Sequence, residues 1–483
     1  MPALRHDAYR EGTSVANGSS GRGRFGQLGF IFAAVGSAIG LGNIWKFPYI
    51  TYANDGGSFV LVYLVAIALI GLPIMMAELV IGRSTRQSPV GAFVEAARGA
   101  VGGRAWGAVG ALGTLGSFIL LSYYALIAGW TVYYFGQCLS WSFSGFDTGG
   151  QTLGDSFGAF LGNGPLQIGF HALFMAVTVG VVALGVQGGI ERVTKTLMPV
   201  LGGILILLVV NSFWSPGFGE AIRFLFHVGP VTADGLLEAV GHAFFTLSVG
   251  MGAMITYGSY MRSRQSIPRS AAAITLLDTL VALMACIVMF SIIFSVDAAE
   301  RVGTFGKSAT ILFTTLPQMF YEMPLGVVLA PLFYLLVGFA ALTSTISLLE
   351  VVAAYLIDRR GLSRRQASLL SGGAVFLFGI PSALSLGAVT GFSSWAPLGE
   401  RTAGFFDTMD YTVSNWILPL GGLTLAIFVG WFLSRSKSRD ALADGHGDVS
   451  RWYFIWRDVL LRFVCPVAIL WIIWAVIGGR SFA

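Results

Sequence analysis

The stretches Ser37-Ala38-Ile39-Gly40-Leu41-Gly42-Asn43 and Thr246-Leu247-Ser248-Val249-Gly250-Met251-Gly252 interrupt two otherwise apolar segments of membrane length near their middles. Glycine costs about 1 kcal/mol relative to alanine inside a helix, so each stretch is a poor helix centre. Backbone freed from helical bonding within a bilayer is tolerated only where it is buried in protein or lines a cavity. Both breaks are therefore expected to face a binding site. Gly250 follows Gly40 by 210 positions, a separation that suggests two structural repeats. Each repeat would open with a discontinuous helix whose half-helix ends hold ions and an anionic group, the plan of a secondary carrier.

The composition agrees with a membrane setting. Of 483 residues, 55% are hydrophobic and 11% charged, which excludes an ordinary soluble domain and implies a polytopic membrane protein in a lipid bilayer. Eleven windows of roughly 20 apolar residues can be marked, at 28–50, 58–81, 106–136, 166–185, 194–212, 236–262, 270–296, 325–357, 366–385, 409–434 and 454–478. Arginine and lysine cluster in alternate connections, for example Arg83 and Arg86, Arg262 and Arg264, and Arg359 and Arg360. By the positive-inside rule the N-terminus is cytoplasmic and the C-terminus extracellular or periplasmic.

Residues 1–24 are polar and Gly/Ser-rich without the apolar core of a signal peptide, and read as a flexible cytoplasmic segment. Cys138, Cys286 and Cys465 have no metal-ligand spacing, and are assigned no chemistry. The net charge of +5 follows from the topology, so no nucleic-acid partner is expected. No phosphate-binding Gly-x4-Gly-Lys-Ser/Thr loop occurs, nor a catalytic carboxylate dyad or nucleophile elbow. An enzyme is not expected.

Ionisable residues inside spans are costly and mark candidate functional positions. Lys46 and Asp410 lie toward outer ends, Glu78 and Glu350 deeper, Asp278 near the middle of the seventh window and Asp358 at the cytoplasmic end of the eighth. Asp278 reads either as a carboxylate satisfied by neighbouring hydroxyls or as an ion ligand. Glu78 reads as a cap or brace between packed helices. Thr343-Ser344-Thr345 either bond back to the preceding helical turn or, beside a break with free carbonyls, offer oxygens to a hard cation.

The run Gly36-Ser37-Ala38-Ile39-Gly40-Leu41-Gly42-Asn43-Ile44-Trp45-Lys46-Phe47-Pro48-Tyr49, with Phe244-Phe245-Thr246-Leu247-Ser248 and Leu342-Thr343-Ser344, closely resembles the neurotransmitter:sodium symporters, from about Phe25 to about Gly478. The resemblance implies an all-α polytopic membrane protein with the LeuT-type 5+5 inverted repeat and eleven transmembrane helices, the first and sixth discontinuous. The repeats would be residues 25–212 and 236–434, with an extracellular connection at 213–235, a cytoplasmic loop at 435–453, and 454–483 as the last helix and tail.

Two sodium sites are implied. The first would use the carbonyl of Ala38 with Asn43, Thr246 and Asp278. The second would use carbonyls of Gly36, Ile39 and Ala340 with the hydroxyls of Thr343 and Ser344. Oxygen-only donor sets suit a hard cation. Asp278 stands where many relatives carry asparagine, and Ala282 where chloride-dependent members carry serine, so no chloride requirement is expected. Tyr63 keeps a chloride-site position, with His242 where glutamine is usual.

The same resemblance places a substrate carboxylate at Leu41, Gly42 and Tyr124, and an ammonium at Ala38, Phe245, Thr246 and Ser248. Gly40 stands where monoamine-transporting relatives have aspartate, which implies an amino acid. Leu120, Phe245, Met251, Thr345 and Leu348, with Ser344 nearby, would surround a neutral side chain, hydrophobic or aromatic.

Lys46 and Asp410 match an outer gate, with Tyr124 and Phe245 as a lid. Asp358 would meet Arg22 or Arg24 at the inner gate, with Tyr260 and Glu350 beside them. Gly189 and Pro199 resemble a motif for local unwinding. The implied activity is Na⁺-coupled import of neutral L-amino acids by alternating access across the plasma or inner membrane. The alternatives are a symporter of a small osmolyte or GABA-like compound, and a non-transporting sensor or substrate-gated ion leak. Oligomeric state is not implied.

Overall fold

The computed structural model describes residues 24–262, 264–297, 301, 311–443 and 450–480. Among these the protein is helical, without strands. The main helices are α1 Gln27–Ala38, α2 Gly42–Ala53, α3 Gly57–Thr85, α4 Gly103–Ser144, α5 Gly164–Ala183 and α6 Val186–Ser212. They continue as α7 Ala233–Thr246, α8 Ala253–Tyr260, α9 Ile267–Ile293, α10 Gly326–Arg360, α11 Arg364–Leu384, α12 Gly404–Phe432 and α13 Arg451–Ile477.

Each of the eleven apolar windows falls on helix, but the count by length is lower. Among the described residues nine helices are long and apolar enough to cross a membrane, and ten if α1 and α2, bent by 51°, form one span. The window at 236–262 is filled instead by α7 and α8, each too short to cross alone because residues 247–252 are not helical. The fifth span starts at Val186, earlier than the 194 expected, because a wide π-helical stretch Val186–Glu191 precedes the regular helix. The connection expected as a loop at 435–453 contains a helix, Arg435–Ala443, whose Ser438 and Leu442 are buried. A four-residue spacing puts them on one helix face.

Proline leaves a regular trace in these helices. Five π segments, Gly42–Lys46, Ile67–Gly71, Ile311–Thr315, Val413–Ile417 and Phe454–Val464, each end two residues before a proline, at Pro48, Pro73, Pro317, Pro419 and Pro466. A proline cannot donate to the carbonyl four residues back and crowds it. Widening the turn relieves that clash while keeping the span continuous.

Helix α4 packs along α10 and also against α5 and α11, whereas α3 packs against α7 and α8. The two breaks meet inside this arrangement. Ile39 leaves the helix with ψ 109. In the second break Ser248, Gly250 and Gly252 take φ 51, 86 and 77, the left-handed region that glycine enters without penalty. A Cβ on Gly250 would also stand 2.7 Å from the Leu418 carbonyl oxygen.

Glu78 holds the second break open. Its buried carboxylate accepts the amide N–H groups of Gly250 at 2.7 Å, Met254 at 3.0 Å and Ile255 at 3.2 Å. Those of Met254 and Ile255 are among the donors that the first turn of α8 leaves unbonded, and a negative group is favoured at that end of a helix.

Candidate substrate and ion sites

Between the breaks lies a central cavity lined by Ser37, Ala38, Gly40, Gly42 and Asn43 from the first break, by Leu120 and Tyr124 from α4, by Phe245, Thr246, Ser248 and Met251 from the second, and by Ser344 and Leu348 from α10. Its walls differ in character. At one side the Leu41 amide N–H donates to the Tyr124 hydroxyl at 2.8 Å. A Cβ on Gly40 would stand 2.6 Å from the Tyr124 hydroxyl and 2.7 Å from Ser344 Oγ, so glycine is needed for the close approach. Leu120, Met251 and Leu348 form an apolar side without a charged group.

The expected lining is brought together with two exceptions, Leu41, which meets the site only through its amide on Tyr124, and Thr345. Thr345 turns away from the cavity, its Oγ1 lying 2.9 Å from Thr178 Oγ1 on α5 and donating to the Leu342 carbonyl at 2.9 Å. The exchange satisfies two buried hydroxyls at once, which apolar surroundings demand.

Asn43, Thr246 and Asp278 form the first oxygen group, all buried. Asn43 Nδ2 donates to Asp278 Oδ1 at 2.7 Å, while its Oδ1 accepts the Gly40 amide N–H at 3.0 Å. Thr246 Oγ1 donates to Asp278 Oδ2 at 3.0 Å. Tyr63 reaches the same carboxylate at 3.5 Å. Among the described residues Asp278 forms no ion pair. A buried carboxylate surrounded by neutral oxygen-bearing groups is a charge complement for a small cation. Ala38 lies in the adjoining cavity wall.

The second group joins α1 to α10. Ser344 Oγ points at the carbonyl oxygens of Ile39 at 3.2 Å and of Gly36 at 3.4 Å. Thr343 Oγ1 donates to the Ala340 carbonyl at 3.0 Å. Gly36 packs directly on Thr343, since a Cβ there would stand 3.0 Å from the threonine Cβ. All five expected residues thus meet. The donors are two hydroxyls and carbonyls of a broken helix, with no nitrogen or sulfur, a set that fits a hard monovalent cation.

The outer gate differs from expectation. No ion pair joins Lys46 to Asp410 among the described residues. Lys46 Nζ lies 4.6 Å from the Phe245 ring centroid, a cation–π contact, and Asp410 accepts from the Tyr123 hydroxyl at 2.9 Å and Ser414 Oγ at 3.3 Å. Both hydroxyls bond Oδ1 of the carboxylate, while the aromatic face offers the ammonium a counterpart. Phe245 separates the central cavity from an outer one lined by Lys46, Ile50, Glu238 and His242. His242 is buried against Phe47 and Tyr63.

On the inner side Asp358 accepts the Ser88 amide N–H at 2.7 Å. Arg22 lies outside the described residues. Arg24 is exposed, and its carbonyl accepts from Gln187 at 2.7 Å. Tyr260 donates to Glu350 at 2.5 Å. Gly189 and Pro199 are both within helix in this conformation, the first in the π stretch and the second inside the regular part of α6.

Three participants escape the sequence reading. Arg364 grips Glu350 with both terminal guanidinium nitrogens, at 2.7 and 3.0 Å. Glu191 receives the Gly26 amide N–H at 3.2 Å and Lys195 at 2.6 Å, so it anchors the start of α1. Arg457, buried in α13, donates to the Val429 carbonyl at 3.1 Å and to the Tyr453 hydroxyl at 2.7 Å. An arginine within an apolar span is a visible signal for the last. The others are distant pairings without a local signature.

The sodium:neurotransmitter symporter family profile matches residues 22–147 and 159–479. A sodium-dependent transporter of Bacillus subtilis (strain 168), YhdH, is 38% identical over 459 residues, covering 94% of this chain and 98% of its own. A sodium-dependent transporter of Haemophilus influenzae is 30% identical over 450 residues, covering 92% of this chain and 95% of its own. The crystal structure of MhsT in complex with L-phenylalanine matches with a TM-score of 0.81 at 39% identity, over 94% of this chain and 100% of that one.

Proposed function

The chain belongs to the sodium:neurotransmitter symporter family, as a multi-pass, sodium-dependent membrane transporter of LeuT-type fold, and on that premise we propose that it imports neutral, hydrophobic or aromatic L-amino acids with Na⁺. The observation that carries this reading is the two-sided central cavity. One wall has the Tyr124 hydroxyl, the Leu41 amide and no acidic side chain at Gly40; the other has Leu120, Met251 and Leu348. A zwitterion fits the polar wall and an uncharged side chain the apolar one. Met251 is unbranched and flexible, which suits side chains of varied shape. The complex of MhsT with L-phenylalanine supports the same substrate class.

Two Na⁺ ions are cargo in this scheme. One would sit at Ala38, Asn43, Thr246 and Asp278, with the substrate carboxylate completing its shell. The other would join Gly36, Ile39 and Ala340 to Thr343 and Ser344, tying α1 to α10. Asp278 supplies a fixed negative charge beside the first, and Ala282 has no hydroxyl for an anion, so transport would proceed without chloride.

Alternating access follows from the gates. From outside, substrate passes Lys46, Asp410 and the Phe245 lid. Inward release needs the start of α1 to leave Glu191, the Tyr260–Glu350–Arg364 cluster to part and the α6 segment from Gly189 to Pro199 to unwind. Of the two arginines expected opposite Asp358, Arg24 is exposed with its carbonyl on Gln187, so Arg22 would be the partner at that gate. The alternating basic connections support a cytoplasmic position for these inner groups, and the carrier would sit in the plasma or inner membrane.

Equilibrium binding of labelled L-phenylalanine, L-leucine and L-tryptophan to the purified protein in Na⁺ or K⁺, with and without chloride, tests the reading. Sodium-dependent, chloride-indifferent binding is expected. Binding of a small osmolyte or GABA-like compound in preference to all three would overturn the substrate class.

A further inference from the structure

Ser37 occupies a position that neither ion group explains. Its carbonyl oxygen accepts from Ser248 Oγ at 2.9 Å, a residue of the second break, and also faces Ser344 Oγ at 3.4 Å. Its own hydroxyl donates to Ser347 Oγ at 2.8 Å, and Ser347 in turn donates to the Ser344 carbonyl at 2.8 Å. All four serines are buried. One residue of the first break therefore binds the second break with its main chain and α10 with its side chain.

We propose that Ser37 and Ser347 form a joint through which the substrate cavity and the Thr343–Ser344 oxygen group act on one another. The inference rests on the reading of that group as a sodium site. Ser347 is outside the cavity lining and the expected ion ligands, and its side chain reaches them through Ser37 and Ser344. Its hydroxyl completes a closed circuit, from Ser37 to Ser347, on to Ser344, and back toward the Ser37 carbonyl. The circuit fixes the spacing between the carbonyls of Gly36 and Ile39 and the hydroxyl of Ser344. A small cation selects oxygens held at a set distance, so the joint tunes sodium affinity from outside the ligand shell. Because Ser248 bonds to the same Ser37 carbonyl, a shift of the second break on substrate binding pulls on the circuit. The two ends are thereby coupled without a shared ligand.

The test uses the purified full chain with Ser37→Ala, Ser347→Ala, the double variant and Ser347→Thr, which keeps the hydroxyl. Sodium is titrated twice, by its thermal stabilisation of the protein without amino acid and by its support of L-phenylalanine binding. Each alanine variant should raise the half-saturating sodium concentration about threefold to tenfold, the worth of one net hydrogen bond. The double variant should match Ser347→Ala, because Ser37→Ala removes only the Ser37–Ser347 bond that Ser347→Ala already removes along with the bond to the Ser344 carbonyl, and Ser347→Thr should stay near wild type. Unshifted alanine variants, multiplied shifts in the double variant, or equal shifts for Ser347→Ala and Ser347→Thr would each overturn the joint. A wild-type protein that responds to sodium in neither titration would overturn the sodium reading itself, and the joint with it.

Discussion

The Glu78 carboxylate accepts the Gly250 amide N–H at 2.7 Å across 172 positions of sequence. With the amides of Met254 and Ile255 on its other oxygen, it does for α8 what an N-cap side chain does for a soluble helix. The break stays open because its loose donors have an acceptor that belongs to another span. Glutamine at this position has one acceptor and turns an N–H₂ group against backbone donors. Glu78→Gln should therefore cost about 1–3 kcal/mol of stability, seen as a lower unfolding midpoint of the purified protein. An unchanged midpoint would mean that α8 does not depend on the charge.

Asp278 accepts from Asn43 and Thr246 and faces no cation among the described residues. Asp278→Asn should abolish sodium-dependent amino-acid binding in chloride-free buffer. Adding Ala282→Ser should restore it only when chloride is present, because the anion then supplies the missing charge. Binding by the single variant without chloride would show that the carboxylate is dispensable.

The clearance around Gly40 is too small for a methyl group, which would stand 2.6 Å from the Tyr124 hydroxyl and 2.7 Å from Ser344 Oγ. Gly40→Ala should weaken L-phenylalanine binding by at least about tenfold, corresponding to roughly 1.4 kcal/mol, and Tyr124→Phe combined with it should not restore wild-type affinity, because the polar wall then lacks its hydroxyl and the Ser344 contact remains. Equilibrium binding at saturating sodium measures both.

Asp410 is held by Tyr123 and Ser414 while Lys46 lies over Phe245. Removing the hydroxyl in Tyr123→Phe frees the carboxylate to pair with Lys46 across the outer path. Substrate dissociation into sodium buffer should slow by a few fold, read by washout of bound label. Lys46→Gln should cancel that slowing.

Glu191 anchors the first residues of α1 through the Gly26 amide. Glu191→Ala should hasten amide hydrogen exchange over residues 26–33, measured by mass spectrometry in K⁺ buffer. Exchange in α9, which that carboxylate does not reach, should be unaffected.

The broken helices are legible in the sequence because helix preference is a local property. Glycines two positions apart, Gly40 with Gly42 and Gly250 with Gly252, disfavour a continuous helix wherever the segment lies, and a bilayer requires the freed backbone to face a cavity. The two oxygen groups are legible for another reason. Their residues sit in long runs similar to a known family, and the structure draws Asn43, Thr246 and Asp278 together, and Gly36 and Ile39 onto Ser344. The gates are less legible. Lys46 carries a charge that local sequence reveals, but its choice of Phe245 over Asp410 depends on what else reaches that carboxylate. Thr345 is expected in the cavity because the resemblance puts it there, and the hydroxyl of Thr178 on another span turns it away.

By itself, then, the sequence determined the membrane class, the apolar stretches that become helix and the two breaks, which follow from apolar run length and local backbone preference, while runs shared with a known family pointed to the chemical kind of the cavity walls. Only the tertiary structure decided which partner each buried polar group takes: Gly250 for Glu78, Arg364 for Glu350, Ser347 for Ser37. The physical reason is that a hydrogen bond is settled within about 3 Å, between groups that lie far apart along the chain, and in a low-dielectric interior each group must find an acceptor or donor among whatever the packed helices bring within reach.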